Sequence, residues 1–388
     1  RHYTFMLEGL AETGKALADR GIQFVMRKGL PPDVVLDLGK QAALIVCDAG
    51  YLRHQRQWRR TVAQKAGCPV IQVETDVVVP VAAASDKAEY AARTIRPKLH
   101  RVLADFLMPL SRRPLHKSSM HLSFASLDLD AVPGLLAGLT LDKSVAAVSR
   151  FFAGGTSHAK KRFQSFLTNG LAHYDQNSNQ PQTDDISHMS PYLHFGQISP
   201  LYLAMAVMNV DRSLADARDA FMEQLIIRRE LAVNFVYYTP DYDQFDVIPG
   251  WAKKTLADHE TDSREYIYTL DQLAQADTHD PYWNAAMMEM TCTGFMHNYM
   301  RMYWGKKILE WSPTPKQAYE TTLALNNCYF LDGRDPSSYT GVAWLYGVHD
   351  RAWAERSIFG KVRYMAASGL ERKCDISAYV DKVTAACL

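Results

Sequence analysis

Ala42-Ala43-Leu44-Ile45-Val46-Cys47 is an apolar run typical of a buried strand, and a basic helical segment over residues 52–66 follows it. The next apolar run, Pro69-Val70-Ile71-Gln72-Val73, has the same strand-like character. Strands that alternate with helices favour a parallel sheet with crossover helices. The stretch 42–73 therefore predicts an α/β N-terminal domain built on a doubly wound parallel sheet.

The residues before this stretch extend the alternation. They predict an amphipathic helix over 3–20, a short strand-like run over 22–26 and a helix with proline near its start over 31–40. A doubly wound domain usually begins with a strand, so we expect this domain to lack its first one. The region contains no G-x-G-x-x-G loop, and a dinucleotide site there has no motif to support it.

The pattern weakens over residues 82–144, where prolines recur at 97, 109, 114 and 133. Beyond this region, long helical periodicities rich in aromatic residues and methionine continue to the end of the chain. We therefore predict an α/β domain over 1–100, an interdomain linker over 101–145 and an all-helical domain over 146–388.

Bulk properties exclude several classes of protein. The chain has 388 residues, a formal charge of +1 and six cysteines without any C-x-x-C pair. These numbers favour a two-domain protein with reduced thiols and no metal site. The sequence has no apolar stretch of about eighteen residues and no signal-peptide layout, so we expect a cytoplasmic or nuclear protein without a membrane partner. Any binding of nucleic acid must come from a local basic patch.

Two segments of the C-terminal half point to anion binding, each with an ordinary alternative. Ser190-Pro191 predicts a helix start with Ser190 as its cap, and such a start presents free amides to an anion. An ordinary capped helix is the commoner meaning of this pattern. Arg229 lies beside an apolar helical stripe and therefore needs an anionic partner. That partner is either a neighbouring carboxylate or a cofactor phosphate.

Three tryptophans form the next pattern. Trp304 and Trp311 share one helical face, and Trp283 falls on the same side if the helix is continuous. Such a row suits electron transfer towards a redox centre, although an aromatic core stripe is the more frequent use of this spacing. Arg301 on this helix calls for a buried acid, and the loop that contains Asp332 offers one.

The last pattern covers residues 349–373. Six lysines and arginines, among them Arg351, Lys361 and Arg363, outnumber three acids, and aromatic residues such as Trp344 lie in or just before the segment. Cations suit phosphates and rings suit unstacked bases, so the segment favours nucleic-acid binding. A solvated charged face is the alternative.

The amino-acid sequences of these segments and their order along the chain resemble those of one family. Met-Ser-Pro-Tyr-Leu-His-Phe-Gly-Gln-Ile-Ser (189–199) and Leu-Ile-Ile-Arg-Arg-Glu-Leu (225–231) are similar to the flavin-binding half of the photolyase and cryptochrome family. Thr-His-Asp-Pro-Tyr-Trp-Asn-Ala (278–285), Met-Arg-Met-Tyr-Trp-Gly-Lys-Lys-Ile-Leu-Glu-Trp (300–311), Leu-Asp-Gly-Arg-Asp-Pro (331–336) and Phe-Gly-Lys-Val-Arg-Tyr-Met (359–365) resemble class II photolyases. The resemblance covers nearly the whole chain.

The resemblance implies an α/β domain linked to a helical domain that holds FAD in a bent form. It implies that Arg301 and Asp332 pair beside the flavin, that Asn326 faces the flavin ring, and that electrons pass through Trp304, Trp311 and Trp283, with Trp304 nearest the flavin and Trp283 at the solvent end. The implied cofactor-binding residues are Tyr174, Ser187, His188, Met189, Ser190, Leu193, Gln197, Arg229, Asn326, Asp332 and Asp335. The implied substrate-binding residues are Glu223, Gln224, Trp344, Arg351, Lys361 and Arg363.

The implied activity is light-driven repair of cyclobutane pyrimidine dimers, with UV-damaged DNA as partner and a monomeric enzyme. The resemblance leaves an antenna chromophore of the deazaflavin type open, since no string in the sequence demands one. One departure concerns Glu223-Gln224, where the class II pattern has two adjacent acids. Glutamine forms hydrogen bonds but cannot share a proton as a carboxyl group does, so we expect slower repair.

Three alternatives compete with this interpretation. The same flavin site serves cryptochrome photoreceptors that do not repair DNA, because a fold does not fix a function. Repair of (6-4) photoproducts fits the strings less well. A flavin-free nucleic-acid-binding module would leave Arg301 and Asp332 as a structural pair only.

Overall fold

The computed structural model describes residues 1–111 and 113–387, and its parallel sheet is built from the stretch 42–73. Strand β1 (Ile45–Asp48) pairs in parallel with β2 (Val70–Val73), with Ile45 opposite Val70. Helix α3 (Arg53–Lys65) supplies the crossover between them. The α/β prediction is thus confirmed, with two parallel strands in the described residues.

The strand expected over residues 22–26 is not formed. Its backbone is held instead by residues about a hundred positions later, because the amide of Met26 donates to Oγ of Ser126 at 2.9 Å. The amide of Leu127 in turn donates to the carbonyl oxygen of Met26 at 2.8 Å. An irregular segment therefore satisfies the hydrogen bonds that a neighbouring strand would have supplied.

Helices account for most of the remaining structure. The N-terminal region contains α1 (His2–Ala18), α2 (Pro31–Leu38), α4 (Val81–Ala84) and α5 (Ala92–Phe106). Pro97, expected to interrupt the chain, lies inside α5, which crosses the predicted domain boundary at residue 100. The division into two domains and a linker stays a prediction.

The later helices begin with α6 in the predicted linker and continue through the predicted helical domain. They are α6 (Val132–Ala137), α7 (Thr156–Ser165), α8 (Tyr174–Asn177), α9 (Ser190–His194), α10 (Pro200–Met208), α11 (Ala215–Met222), α12 (Arg229–Tyr238), α13 (Gly250–Asp258), α14 (Leu270–Ala274), α15 (Pro281–Thr293), α16 (Asn298–Trp311), α17 (Pro315–Tyr329), α18 (Pro336–Leu345), α19 (Ala367–Lys373) and α20 (Ile376–Cys387). A π-helical segment, Glu223–Arg228, joins α11 to α12. Such segments are rare and often occur at functional sites.

The N-terminal region shares its hydrophobic core with the helical remainder. Phe5 of α1 packs against Tyr192 and Phe195, with ring centroids 5.2 and 5.3 Å apart. Glu230 of α12 is buried and accepts the backbone amides of Val78 and Val79 at 2.8 and 3.2 Å. The segment just after β2 is thereby attached to α12. Within the described residues, no helix has the length and apolar character that crossing a membrane requires.

Candidate active site

A cavity of about 540 Å³ lies among α9, the π-helical segment and helices α16 to α18. A second cavity of about 350 Å³ adjoins it and shares several of its walls. The predicted site residues that line the first cavity are Tyr174, Ser187, His188, Met189, Ser190, Gln224, Arg301, Trp304, Asn326, Asp332 and Trp344. Leu193 and Arg229 line the second. Most of the predicted cofactor site thus converges on one connected space.

The turn into α9 forms one wall of this space. His188 has φ +54, an unusual backbone conformation for a residue other than glycine. Its Nε2 lies 2.9 Å from a carboxylate oxygen of Asp184, a contact that fixes the ring. The cap position belongs to Met189, and Ser190 is the first helical residue, without the side-chain cap predicted for it. Strain of this kind concentrates at binding sites.

Arg301 and Asp332 form the ion pair that the sequence called for. The guanidinium donates two hydrogen bonds, of 3.1 and 3.0 Å, to the two carboxylate oxygens of Asp332. It also stacks 3.9 Å from the ring centroid of Phe330 and donates to the carbonyl oxygen of Met296 at 3.1 Å. Asp332 is only 7% exposed and 22% of the Arg301 side chain is exposed, so the pair is fixed in geometry and partly shielded from solvent.

The three tryptophans come together, although not on one helix. Gly294, with φ +77, ends α15, and α16 begins at Asn298 in a new direction. Nε1 of Trp283 on α15 donates to the carbonyl oxygen of Trp304 at 2.9 Å. The Trp283 and Trp311 rings lie 5.6 Å apart. The prediction of one continuous helix was therefore wrong. The three tryptophans cluster because α15 packs against α16.

The order of the tryptophans also differs from the expectation. Trp304 lines the main cavity, as expected for the inner position. Trp283 is completely buried and contacts both other tryptophans, so it lies in the middle and not at the solvent end. Trp311 is the outer member and borders a separate surface cavity.

Three polar atoms show that the main cavity suits a large polar cofactor such as FAD. Nδ1 of His188, Nε2 of His297 and Nε1 of Trp304 are buried and have no hydrogen-bond partner among residues 1–111 and 113–387, and all three residues line the cavity. Buried polar atoms are normally paired, because leaving them unpaired is costly. Burial also lowers the pKa of His297 to about 3, so this ring is neutral at physiological pH. These atoms fit a bound ligand with several hydrogen-bonding groups.

Arg229 was predicted to pair with either a carboxylate or a cofactor phosphate, and in the structure it pairs with a carboxylate. Its guanidinium lies 2.6 Å from a carboxylate oxygen of Asp76 and also donates to the carbonyl oxygen of that residue. Asp335, predicted to bind the cofactor, caps α18 through the amide of Ser337 and lies 3.2 Å from His194. These contacts give both residues a structural role, and the binding of the cofactor by Arg229 and Asp335 stays a prediction.

Two further predicted residues point away from both cavities. Gln197 donates to the carbonyl oxygen of Phe5 at 3.0 Å and accepts the amide of Gly155 at 2.6 Å, which anchors α1. Glu223 forms ion pairs with Arg96 and Arg228, at 2.7 and 3.0 Å. Of the adjacent pair at 223 and 224, only Gln224 lines the cavities.

Trp344 forms another part of the main cavity wall, and two cations lie near its ring. The guanidinium of Arg363 lies 5.3 Å from its ring and 4.2 Å from that of Trp353, and Asp350 orients it through hydrogen bonds of 2.9 and 3.3 Å. Lys306 lies behind Trp344, with Nζ 5.5 Å from the ring. Arg351 and Lys361 are exposed near this wall and do not line the cavities.

Lys306 leads to a prediction about stability. Its Nζ donates to the carbonyl oxygen of Leu345, and burial lowers its pKa to about 7 from 10.5. Between pH 7 and 10.5 the unfolded chain keeps a proton that the folded chain has released, so folding becomes more favourable as pH rises. We expect Lys306→Met to raise the free energy of unfolding by ~1–3 kcal/mol at pH 7 and by less at pH 9.

Urea unfolding at the two pH values measures this difference. Lys316→Met, a matched change at an exposed lysine of α17, should leave the pH dependence of the wild type in place. A stability gain from Lys306→Met that is equal at both pH values would contradict the assignment of the titration to Lys306.

Sequence reasoning missed several residues that line the cavity. His297, Phe295, Phe330 and Arg228 all face it. The one available signal was that His297 precedes Arg301 by a single helical turn. The other three follow no spacing that separates a cavity wall from an ordinary core position.

The fold is shared with solved structures of a photolyase and a cryptochrome. The structure resembles a class III photolyase from Agrobacterium tumefaciens, with TM-score 0.74, 17% identity and coverage of 99% of this chain and 77% of that one. It also resembles a cryptochrome from Synechocystis, with TM-score 0.73, 16% identity and coverage of 98% and 77%. These identities are low and show a shared fold only.

Sequence relatives decide the family. The DNA photolyase family model matches residues 1–117. The deoxyribodipyrimidine photo-lyase of Methanothermobacter thermautotrophicus is 49% identical over 99% of this chain and 84% of its own length. The enzyme of the same name from Potorous tridactylus is 39% identical over 100% of this chain and 73% of its length. This chain belongs to the DNA photolyase family.

Proposed function

We propose that this chain repairs cyclobutane pyrimidine dimers in UV-damaged DNA with the energy of light, as a class II enzyme. One observation carries the proposal most directly: the inner tryptophan Trp304, the polar Gln224 and the aromatic wall Trp344 line the same cavity. This lining supports a site in which an electron donor and an unstacked lesion lie side by side. The relatives at 39–49% identity carry the photo-lyase name, which supports repair over a photoreceptor role.

FAD is the cofactor that this family implies, and in reduced, light-excited form it supplies the electron that opens the cyclobutane ring. The residues that would hold it are those with unsatisfied polar atoms, His188, His297 and Trp304, together with Asn326. The amide nitrogen of Asn326 donates to Oδ1 of Asn327 at 3.0 Å and to Oγ of Ser338, which fixes its orientation. The Arg301–Asp332 pair places a fixed positive group at the wall, balanced by its own carboxylate.

The tryptophans deliver electrons from outside. Their order Trp311, Trp283 and Trp304 is supported by the ring contact of 5.6 Å between the first two and by the hydrogen bond of 2.9 Å between the last two. Each member is at most 2% exposed, so water is excluded from the route. The route runs between α15 and α16 towards the cavity.

Photolyases are among the enzymes that take the target base out of the duplex before reaction. Trp344 offers a ring on which an unstacked pyrimidine can stack. Gln224 is exposed at the cavity mouth, where its amide can donate to and accept from the edges of the bases. Arg351, Lys361 and the exposed ring of Trp353 supply a basic, aromatic rim for the DNA backbone. We propose that the chain acts as a monomer, and an antenna pigment stays open.

The direct test is light-dependent repair. Purified protein with chemically reduced flavin is mixed with an oligonucleotide that contains one thymine dimer, and the recovery of thymine absorbance is followed under blue light and in the dark. Recovery in the light alone supports the proposal. Bound flavin without any loss of dimers would favour a photoreceptor instead.

Trp344→Ala should weaken lesion binding. Loss of one stacking surface costs ~1–3 kcal/mol per base, which corresponds to about 5- to 150-fold in affinity. Affinities for dimer-containing and undamaged DNA, measured side by side, separate this effect from general DNA binding. Trp344→Phe keeps a stacking surface and should retain most of the affinity. Equal losses for both DNAs in the alanine variant would contradict a role at the lesion.

Gln224→Glu should raise repair per absorbed photon. A carboxyl group forms stronger, charge-assisted hydrogen bonds and can share a proton with the bases, and a gain of up to about fivefold follows from ~1 kcal/mol. Gln224→Met, of similar size and without hydrogen bonds, should instead lower repair. An unchanged repair quantum yield in Gln224→Glu would remove the proposed penalty of the neutral amide.

A further inference from the structure

The separate surface cavity, of about 630 Å³, lies on the outer side of Trp311 and shares no lining residue with the main one. Its floor is buried and consists of Lys307, Trp311 and Phe359. Its rim is exposed and includes Tyr266 and Arg356. It is therefore a recess that opens to solvent above a tryptophan.

This recess is where the outer tryptophan meets open space. Trp311 is 2% exposed, so molecules in bulk solvent have almost no access to its ring elsewhere. The rings of Tyr268 and His279 cover it at 5.3 and 5.2 Å. The recess is therefore the cavity in which a donor comes nearest to Trp311.

The recess carries two cations, Lys307 and Arg356, and two acids, Glu265 and Glu310, so any preference for an anion rests on Arg356. Lys307 holds its Nζ 5.7 Å from the Trp311 ring, and Glu310 neutralises it at 2.7 Å. Arg356 lies over the ring of Tyr364 at 5.2 Å and pairs with no carboxylate within 4.0 Å in the part of the chain that the structure describes. Glu265 is the remaining acid on the rim. An unpaired guanidinium beside an aromatic floor suits a small anion.

The loop that presents Arg356 is held in a strained conformation. Ile358 has φ +68, which is rare for a β-branched residue. One oxygen of Asp262 accepts the amide of Ile358 at 2.8 Å and the hydroxyl of Ser357 at 3.0 Å, and His259 lies 2.6 Å away. These contacts lower the pKa of Asp262 to about 2, so the anchor is charged throughout the physiological range. Strain that is fixed by so many contacts is a common feature of ligand clamps.

We propose that this recess binds a small anionic reductant of the enediol class, which donates one electron to Trp311. The proposal rests on the proposed tryptophan route. The enediol monoanion is oxidised by one electron and loses its remaining enol proton to solvent. The electron fills the hole on the Trp311 indole, which returns from the radical cation to neutral tryptophan. No bond forms between donor and protein.

Ascorbate is the probe for the test. A laser flash on the flavin-loaded protein creates the tryptophan radical, and its decay rate is followed by transient absorption against ascorbate concentration. A binding site predicts a rate that saturates, whereas simple collision gives a straight line, and a straight line would overturn the site. Absence of any tryptophan radical would overturn the route itself and this proposal with it.

Variants locate the site. Arg356→Gln should raise the half-saturating ascorbate concentration about tenfold, since it removes one charge-assisted contact. Arg60→Gln, at an exposed arginine of α3, should leave the half-saturating ascorbate concentration unchanged. Dithiothreitol is neutral at pH 7 and should quench the tryptophan radical at the same rate in Arg356→Gln and Arg60→Gln. Ser263→Trp, which fills the rim, should slow ascorbate while repair by chemically reduced enzyme is kept. Identical saturation curves for wild type, Arg356→Gln and Ser263→Trp would contradict the assignment.

Discussion

Replacing Trp304 by phenylalanine is expected to abolish photoreduction of the bound flavin almost completely, while chemically reduced enzyme still repairs dimers. Trp304 is the one member of the tryptophan route that lines the cofactor cavity. A phenyl ring keeps most of the packing against Phe330, 6.1 Å away, but it is far harder to oxidise than an indole. The expected result is therefore loss of one function without loss of the other.

Absorbance of the flavin under blue light with an external reductant measures the first function, and dimer repair after dithionite reduction measures the second. Trp58→Phe is the matched control, because Trp58 lies on α3 against His54 and outside the route. Normal photoreduction in Trp304→Phe would show that electrons reach the flavin by another path.

Asp332→Asn is expected to lower the free energy of unfolding by ~3–5 kcal/mol and to empty the cofactor site. The substitution keeps the shape of the side chain but leaves the Arg301 guanidinium without its counter-charge. Arg301 lies between Phe330 and Phe295, at 3.9 and 5.6 Å from their ring centroids, and only 22% of its side chain is exposed, so solvent compensates only in part. Removing one partner of a buried ion pair lowers stability more than replacing both partners by apolar residues, because the remaining charge stays buried and unpaired.

Denaturant unfolding and the ratio of flavin to protein absorbance measure the two effects. Asp130→Asn provides the control, since its ion pair with Lys15 is exposed and such pairs contribute little. If Asp332→Asn keeps both the wild-type stability and the wild-type flavin content, the pair is neither structural nor part of the cofactor site.

The sequence predicted those features that depend on local pattern. The parallel strand pair and its crossover helix follow from the alternation over residues 42–73. The need of Arg301 for an acid follows from the cost of a buried charge, and Asp332 is the acid that it has. The sequence predicted that the three tryptophans lie together, but it placed them on one continuous helix, and that helix is broken at Gly294.

What sequence pattern could not settle was the choice between two partners that are equally good chemically. Arg229 needed an anion, and only the packing of the segment after β2 against α12 shows that Asp76 supplies it. Glu223 and Gln224 are neighbours in sequence, yet ion pairs with Arg96 and Arg228 turn the first away from the cavity. The Asp76–Arg229 and Arg96–Glu223 contacts join residues more than a hundred positions apart, and no local period encodes them.

The amino-acid sequence by itself determined the α/β start, the helical remainder and the family, because secondary structure and motif wording are local properties. The tertiary structure alone decided that Trp283 is the middle tryptophan, that Gln197 anchors α1, and that Trp311 lies beneath the surface recess. These facts depend on which helix faces meet. That is settled by the packing of distant side chains into one core, where burial and unsatisfied polar groups are weighed over the whole chain.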